Sequence, residues 1–512
     1  MIERRNTAPR PPALQALAIG LLAALAFAGC GGPEPADKAG DAGKADPDAD
    51  AGAGAPLPGY TSALPSPYVQ PAWAAEGWRP KRVPLLDSAV RRRGLREVRG
   101  LVHAHTAYSH DACDDKPFDE KGVINSPCVE DFRRDLCAVG HDYVFLTDHP
   151  THFRDHPFPD VLLYDKSRGD TLLQRGSVTF GNRMACGDGR SVLLLPGTEG
   201  GMMPVGLDGH IQDPELRKKA YGGDDQAARD LLVAQGARIL AQHTEDWTAV
   251  QLTEPGWSGF EMYNLHANMM AKMKEAALLI PVLIEPSETL EPDLILLALL
   301  TLDPRYDKTW AQVARSGVRR VTTMGTDCHR NTFTLLLSDK ERVDSYRRMM
   351  IWFSNHLLIG PEPDGSYDDR HLEVALDARR LFGVFEVFGH AEGFDARVES
   401  GKGANAAVVE IGGEVSAASQ PTLLADTPHV AMLPPGAEAP LVRSVVLRAD
   451  PEGWTEVASG DGRISLPLKE PGAYRVEVRI VPRHLRKLLG SKVALADQEF
   501  PWVLANAFYV VP

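Results

Sequence analysis

The chain is short of positive charge. Of its 512 residues, 55 are lysine or arginine and 69 are aspartate or glutamate, which gives a net charge of −14. Nucleic acid and anionic membrane surfaces bind basic proteins, so this balance argues against both as electrostatic partners. A small anionic substrate stays compatible with it, because metal ions would supply positive charge that a residue count misses.

The chain also lacks an apolar N-terminal run long enough to cross a bilayer. The apolar stretch at 13–28 has fewer residues than the ~20 that a transmembrane helix needs. Basic residues precede it, and it ends in Ala26-Phe27-Ala28-Gly29-Cys30. This pattern predicts a signal peptide over residues 1–30 and resembles a bacterial lipobox, in which Cys30 is lipidated. The alternative is an ordinary secretory signal that is cleaved nearby.

The residues after Cys30 extend this prediction. Gly31 at the next position, by the same resemblance, favours the outer membrane of a Gram-negative cell. We therefore expect an exported protein that is lipid-anchored to the cell envelope, on the periplasmic face of the outer membrane. Residues 31–72 begin with a stretch of Ala, Asp, Gly, Pro and Lys that has little to bury, and they predict a disordered linker.

Cysteine is scarce, and no two cysteines stand in a Cys-x-x-Cys arrangement, so a zinc-thiolate site is not expected. An exported protein meets an oxidising compartment, which favours one or two disulfides. Cys30 would carry lipid, which leaves an odd number of cysteines and at least one unpaired thiol. Cys113, Cys128 and Cys137 lie close together along the chain. We expect one disulfide among these three.

Strand-like and helix-like segments alternate from residue 95 to 390. Strands are predicted at 95–102, 143–147, 192–195, 237–242, 259–263 and 321–324, and helices at 129–139 and 226–235. Gly140 follows the first helix as a C-terminal stop. Alternating strands and helices with polar residues just past each strand are typical of an α/β barrel whose site lies at the carboxyl ends of its strands.

The pattern changes after residue 390. Tyr474, Val476, Val478 and Ile480 alternate with charged residues, which predicts a strand with one buried face. Turn signals surround it, and further strands are predicted at 445–447 and 508–511. We expect residues 391–512 to form a small all-β, sandwich-like domain.

Histidines and acids follow most of the predicted strands. His103 and His105 are two apart on a strand, so their rings point to the same face. Such a pair also occurs where histidines are merely hydrogen-bonded, and it is not specific by itself. Further candidates follow in the order Asp111, Asp148, His149, Glu199, His210, His243, Asp327 and His329. Imidazole and carboxylate suit Zn, Mn or Fe, so the set predicts a cluster of divalent metals.

Four short motifs contain most of these residues. They are His103-Ala104-His105-Thr106-Ala107-Tyr108-Ser109-His110-Asp111, Leu146-Thr147-Asp148-His149, Gly197-Thr198-Glu199 and Gly325-Thr326-Asp327-Cys328-His329. In this order they resemble the polymerase and histidinol phosphatase (PHP) family of metal-dependent hydrolases, over residues 95–390. The resemblance implies a distorted seven-stranded β/α barrel that binds two or three divalent metal ions.

The resemblance also implies which residues bind each metal. The first metal would be held by His103, His105, Glu199 and Asp327. Glu199 would bridge to a second metal that is held by His243 and His210. The third would be held by Asp111, His149 and His329, where some family members have histidine at the position of Asp111.

Other residues near these motifs have supporting roles in this scheme. Asp148 suits a carboxylate that orients a ligand or caps the turn after its strand. Glu261 and Asn264 stand at a strand end and are candidates to line the site, although loop capping explains them equally well. Arg330 directly follows His329 and is a candidate contact for a phosphate, with loop capping again the alternative. No role follows for His110, His141 or His266.

The predicted function is that of a metal-dependent phosphoesterase that hydrolyses a small phosphomonoester or phosphodiester. Metals close together lower the pKa of a bridging water, and open coordination positions accept the oxygen anions of the substrate. One alternative is a carbamate, ester or amide hydrolase with the same metal site. Another is a surface-binding lipoprotein whose metal is structural and whose β-domain is the functional part.

Overall fold

The computed structural model of the chain describes residues 93–271, 290–401, 407–431, 433 and 436–512. The predicted signal peptide at 1–30 with Cys30, and the linker at 31–72, lie outside the described residues. Within the described ranges, no helix combines the length and the apolar character that a membrane span requires.

Eleven α-helices are described, most of them short. In chain order they are α1 Ala112–Asp115, α2 Ser126–Val139, α3 Pro150–Phe153, α4 Phe158–Val161, α5 Pro214–Gly222, α6 Gln226–Val233, α7 Ala249–Thr253, α8 Leu265–Ala271, α9 Pro304–Arg315, α10 Tyr346–Ile351 and α11 Asp369–Asp377. The predicted helices at 129–139 and 226–235 are confirmed as α2 and α6. Asn125 caps α2 by accepting the backbone N–H of Cys128, and Gly140 ends it in a left-handed conformation with φ 75°.

Thirteen strands form one large mixed sheet. They are β1 Arg96–Leu101, β2 Tyr143–Leu146, β3 Thr171–Arg175, β4 Val178–Ala185, β5 Ser191–Pro196, β10 Ser354–Ile359, β11 Leu381–Val384, β15 Glu414–Ser416, β18 Leu441–Asp450, β19 Gly453–Gly460, β21 Gly472–Val481, β22 Phe500–Ala505 and β23 Phe508–Val511. The main path runs β15-β23-β21-β22-β11-β10-β1-β2-β5-β4-β3, with β18 and β19 added beside β21. β1, β2 and β5 are parallel neighbours.

A second sheet of four strands runs β6-β7-β8-β9. Its members are β6 Met203–Val205, β7 Arg238–Ala241, β8 Gly259–Asn264 and β9 Val321–Gly325. β7, β8 and β9 are parallel. The remaining strands, β12 Ala391–Glu392, β13 Asp395–Ser400, β14 Ala407–Glu410, β16 Thr422–Asp426, β17 His429–Val430 and β20 Ile464–Pro467, form two smaller sheets.

The predicted α/β architecture is confirmed, but the seven-stranded barrel is not. Among the described strands no continuous ladder joins the two sheets, which are linked by isolated bridges between Ala104 and Cys328 and between Gly197 and Val205, and no closed barrel is seen. Two asparagine side chains account for the missing strand pairing, because their amides take the place of a neighbouring strand along β9. Asn355 bonds the backbone N–H and carbonyl of Met324, each at 2.8 Å, and Asn506 bonds those of Thr322 at 2.8 and 2.9 Å. The edge of β9 is therefore satisfied without a continuous ladder.

The C-terminal part is rich in β-structure, as predicted, but it shares the large sheet with the preceding part. β22 pairs with β11, with Phe382 opposite Ala505. The predicted exposed face of β21 is covered as well, since Arg475 and Glu477 are both buried. The Arg475 guanidinium packs against Trp454, and against Trp310 of α9 at 4.1 Å from the ring centroid. This contact fastens α9 to the C-terminal strands.

Two disulfides are formed. Cys113 pairs with Cys128, which agrees with the expectation of a bridge among three neighbouring cysteines, and Cys137 pairs with Cys186. Cys328 remains a buried free thiol, as the odd count requires. The first bridge joins the segment just after Asp111 to α2.

Candidate metal centre

The carboxyl ends of five strands meet between the two sheets. β1, β2 and β5 of the large sheet lead to His103, His149 and Glu199, and β7 and β9 of the small sheet lead to His243 and Asp327. Backbone contacts join the sheets at this point, because the N–H of Asp327 donates to the His103 carbonyl at 3.3 Å. The predicted placement of polar residues at strand ends is confirmed for these positions.

A first cluster consists of four buried side chains. His103, His105, Glu199 and Asp327 each offer a ligand atom, and these atoms all lie within 4.8 Å of one another. Nε2 of His103 is 3.2 Å from Glu199 Oε2 and 3.4 Å from Asp327 Oδ1. Nε2 of His105 is 3.1 and 3.4 Å from the same two oxygens. Two imidazoles and two carboxylates so arranged can hold a divalent metal.

A second cluster adjoins the first and shares His105 with it. The ligand atoms of His105, His149 and His329 also lie within 4.8 Å of one another. Oδ2 of Asp111 is 3.2 Å from Nε2 of His329 and 3.5 Å from Nε2 of His149. The structure therefore brings together the three residues expected to hold the third metal.

His243 lies on the other side of the first cluster. Its Nε2 is 3.2 Å from Glu199 Oε1 and 3.5 Å from Asp327 Oδ2. His266, to which sequence analysis assigned no role, approaches the same carboxylate, with Nδ1 3.3 Å from Asp327 Oδ2. His266 lies two residues after the end of β8, so the rule that polar residues past strand ends form the site would have selected it.

His210 is engaged elsewhere. Its Nδ1 is 2.9 Å from the Tyr221 hydroxyl, and its Nε2 is 2.7 Å from the carbonyl of His156. The ring packs against Phe158 at 4.0 Å between centroids. Burial lowers its pKa to about 4. Both ring nitrogens would have to leave these partners before His210 could bind a metal beside His243.

Glu261 orients two of the candidate ligands. Its Oε1 is 2.7 Å from Nδ1 of His103, and its Oε2 accepts the backbone N–H of His243 at 3.0 Å. The Asn264 amide donates to the same Oε2 at 2.9 Å, which holds the carboxylate in place. A carboxylate on the far nitrogen of a metal-binding histidine fixes the tautomer and the ring orientation.

Asp148 and Ser109 support the loop after β1. Asp148 is fully buried and accepts both the backbone N–H and the hydroxyl of Thr106. Burial raises its pKa to about 6. Ser109, which sequence reasoning missed, lies 3.1 Å from Nδ1 of His105 and donates to Asp111 Oδ1 at 2.9 Å. The loop thus holds His105 and Asp111 in a fixed relation.

A further carboxylate stands behind His243. Glu245 Oε1 is 3.5 Å from Nδ1 of His243, and Glu245 Oε2 accepts a hydrogen bond from the Tyr306 hydroxyl of α9. α9 is the helix that Arg475 fastens to the C-terminal strands. The C-terminal part is therefore linked to the site by α9, which contacts Glu245 through Tyr306 and Arg475 through Trp310. Among the described residues the C-terminal part contributes no candidate ligand of its own.

The acids and imidazoles of the cluster shift one another's pKa values. Burial alone would raise the pKa of Glu199 and that of Asp327, but the neighbouring His103 holds both pKa values well below the ordinary range. Burial alone would lower the pKa of His149, but Asp111 and Glu199 raise it to about 10. A metal would replace the protons on these imidazoles, so metal binding should release protons.

The residues present fit such metals. Asp327 Oδ1, His329 Nε2 and His243 Nδ1 are buried and make no hydrogen bond with the described residues, although each lies 3.2–3.5 Å from an oppositely charged group. Buried polar atoms are normally hydrogen-bonded, so ligand-type atoms without a hydrogen bond in one cluster indicate a missing partner. A divalent cation among imidazoles and carboxylates supplies that partner.

Two further groups of charged residues have partners of their own. The guanidinium of Arg330 lies 3.1 Å from Asp131 Oδ2 and is partly exposed. A third acidic group, Asp208, Asp369 and Glu373, has the spacing of a metal site but is neutralised by Arg175, Arg238 and Arg370. This third group is therefore a network of ion pairs.

No protein-family model matches the chain, and no curated protein matches it. A solved structure from Bacteroides vulgatus ATCC 8482, of a two-domain protein containing a predicted PHP-like metal-dependent phosphoesterase, is similar to it at 12% identity and a TM-score of 0.30. The match covers 80% of this chain and 96% of that one. The function therefore has to be argued from the chemistry of the cluster.

Proposed function

We propose that this protein is a metal-dependent phosphoesterase that hydrolyses a small phosphomonoester or phosphodiester. The observation behind the proposal is the merging of two clusters of candidate ligands through the shared residue His105. Glu199 and Asp327 lie between these clusters and His243, so neighbouring cations would share carboxylates. Closely spaced cations are suited to phosphoryl transfer, because they act on both the attacking and the leaving oxygen.

We assign the ligands in three groups. His103, His105, Glu199 and Asp327 would hold one ion, and Asp111, His149 and His329 another. Glu199 and His243 would hold a further ion, with His266 in the place expected for His210. The donor set suits Zn, Mn or Fe. When bound, such ions neutralise the charge of a phosphate ester and lower the pKa of water.

The protein's own side chains determine how substrate would reach this site. His103 and His105 are completely buried, whereas the side chains of Asp111, His149, His243 and His266 are 20–29% exposed. Substrate would therefore approach over the partly exposed residues, and the buried pair would hold the inner side of the site. Arg330 follows His329 and is proposed as a phosphate contact, which would require its guanidinium to leave Asp131.

Export and anchoring belong to the same proposal. The N-terminal pattern supports an envelope lipoprotein held through Cys30, and Cys30→Ser should release the protein from the membrane fraction. An oxidising compartment would suit the two disulfides.

Metal analysis combined with a hydrolysis screen tests the proposal. The purified protein should contain two or three equivalents of a first-row metal and hydrolyse phosphate esters in preference to carboxylic esters. His103→Ala with His105→Ala should remove at least one equivalent and abolish hydrolysis. His429→Ala, which changes a histidine whose side chain is 71% exposed, is the matched control. Full activity in chelator-treated, metal-free protein would refute the proposal.

A further inference from the structure

A cavity of about 150 Å³ lies at the amino ends of β7, β8 and β9. Arg238 begins β7, Ser258 directly precedes β8, and Val321 begins β9, and all three line the cavity. The candidate metal ligands follow the opposite, carboxyl ends of the same strands. At about 3.3 Å per residue, the two places are roughly 15–20 Å apart along β8. The cavity is thus separate from the metal centre.

The size of the cavity restricts what it could bind. Pockets for drug-sized molecules measure about 300–1,000 Å³, so this one suits an ion or a very small molecule. Its lining is polar, with Arg238, Arg319, Arg379, Asp377, Ser258 and Trp257 among the residues that form it. An anion is therefore a better match than an apolar ligand.

Of the three arginines that line the cavity, only Arg379 has no carboxylate partner among the described residues. Arg238 pairs with Asp377 of the lining at 2.7 Å and with Glu373, outside the lining, at 3.0 Å. Arg319 pairs with Glu414, outside the lining, at 2.6 Å. Arg379 donates to the backbone carbonyls of Gly412 and Asp377, both at 2.9 Å. Burial lowers the pKa of Arg379, and the nearby Arg319 acts in the same direction. A negative charge in the cavity would relieve both effects.

Two buried donors in the lining have no partner. Nε1 of Trp257 and Nε of Arg319 are buried and make no hydrogen bond with the described residues. Trp257 as a whole is 3% exposed. Its indole can only donate, and the same is true of a guanidinium. Buried donors are normally paired, so both indicate an acceptor that the described residues do not supply.

We propose that this cavity binds a small oxyanion of the phosphate or sulfate type. Guanidinium groups pair with such oxygens through two parallel hydrogen bonds, and they remain charged at any physiological pH. Arg379 and Arg319 supply the charge, and the indole N–H of Trp257 supplies a further donor. The Ser258 hydroxyl accepts the Ile239 N–H at 3.1 Å and keeps its own proton to donate.

Titration calorimetry of the full chain with inorganic phosphate tests this inference. The protein is first stripped of metal, so that phosphate cannot bind through cations at the other end of the strands. One binding site is expected. Arg379→Gln should weaken binding by at least roughly ten-fold, since a charge-assisted hydrogen bond is lost. Trp257→Phe should weaken it to a lesser degree while keeping an aromatic ring of similar shape.

Arg380→Gln is the matched control, because the neighbouring Arg380 donates to the Leu358 carbonyl and is not part of the cavity lining. Its phosphate affinity should equal that of the unchanged protein. Absence of binding to the metal-free protein would overturn the inference, as would equal affinities of the Arg379 and Arg380 variants. If Arg379→Gln does not fold, an unchanged affinity in Trp257→Phe overturns it instead. Failure of these tests leaves the proposed hydrolysis at the metal centre unaffected.

Discussion

His103 and Glu261 meet across the gap between the two sheets, with Nδ1 of the histidine 2.7 Å from Oε1 of the carboxylate. His103 follows β1 of the large sheet, and Glu261 lies within β8 of the small one. Both side chains are fully buried, so water does not compete for this contact. Because Glu261 also holds the backbone of His243, one carboxylate sets the relative position of two candidate ligands from different sheets.

Gly325→Ala should disturb this contact. A Cβ atom at Gly325 would overlap Oε1 of Glu261 and lie 3.1 Å from Nδ1 of His103. The carboxylate would have to move, and metal affinity should fall by roughly 10–100-fold, as when a group that orients a ligand is lost. Competition with a chromogenic chelator measures the affinity. Gly360→Ala, which meets nothing within 4 Å, is the control, and equal affinities would contradict the role given to Glu261.

Glu199→Gln should lower metal content and hydrolysis while the fold persists. Glu199 lies between His103, His105 and His243, so it would balance the charge of neighbouring cations. Unit charges at 4 Å interact by about 4 kcal/mol at an effective dielectric of about 20, and divalent ions by more. Elemental analysis and circular dichroism measure the two effects. Glu392→Gln, at an exposed position, should change neither. Unchanged metal content in Glu199→Gln would mean that other carboxylates hold the ions.

His266→Ala and His210→Ala should differ in their effect on metal binding. His266 lies 3.3 Å from the Asp327 carboxylate, whereas both nitrogens of His210 contact Tyr221 and His156. We expect His266→Ala to lose about one metal equivalent and His210→Ala to retain all of them. The metal-to-protein ratio of each variant after gel filtration shows which histidine binds metal. The reverse result would restore the ligand set expected from the sequence.

Loss of the Cys113–Cys128 bridge should destabilise the protein. In the chain-entropy account, closing a loop of 15 residues contributes about 3 kcal/mol, and closing the 49 residues between Cys137 and Cys186 contributes about 4 kcal/mol. Paired Cys→Ser substitutions at each bridge should lower the free energy of unfolding, which denaturant titration measures. The loss should be larger for Cys137–Cys186 than for Cys113–Cys128. The first pair should also weaken metal binding, because Asp111 lies two residues before Cys113. No change in the free energy of unfolding for either pair would contradict this account.

His356 should make stability depend on pH in the alkaline range. It lies between Glu97 at 2.6 Å and Glu386 at 2.9 Å, and these carboxylates raise its pKa to about 9, although burial alone would lower it. Because the folded pKa exceeds the unfolded value of about 6.5, the stabilisation is complete below pH 6.5. It is lost as the pH rises through about 9.

Thermal unfolding between pH 6 and 10 measures this effect. His356→Gln should reduce the change of stability with pH between the unfolded and folded pKa values of His356. His429→Gln, at an exposed histidine, should leave that change as it is in the unchanged protein. A dependence of equal slope in both variants would assign the alkaline loss of stability to other groups.

The sequence predicted the local elements of the site better than the pairing of strands. Strands that end in a histidine or an acid stand out because a short apolar run is followed at once by a polar side chain. β10 was missed, since its first residues Ser354, Asn355 and His356 are polar yet buried. Its role depends on partners far away in sequence, which no local pattern reveals. The same holds for the amides of Asn355 and Asn506, which occupy the edge of β9 where a closed barrel was expected.

His210 and His266 show the same limit within the site. His210 is expected as a ligand through the family resemblance, and its ring contacts the Tyr221 hydroxyl. No role follows for His266 from the sequence, although it lies two residues after the end of β8 and beside Asp327. A strand-end position is visible in the sequence, whereas the contacts that engage His210 depend on residues distant along the chain.

The shared large sheet bears on how such a chain can be shuffled by recombination. A portable module is connected to its neighbours by a linker, whereas here the stretch near residue 390 is flanked by hydrogen-bonded strands, with Gly383 of β11 opposite Leu504 of β22. A gene product that stopped at that stretch would present β11 as a bare edge, which invites pairing with a second copy. A shorter homologue would therefore need a substitute strand or a covering loop beside β11.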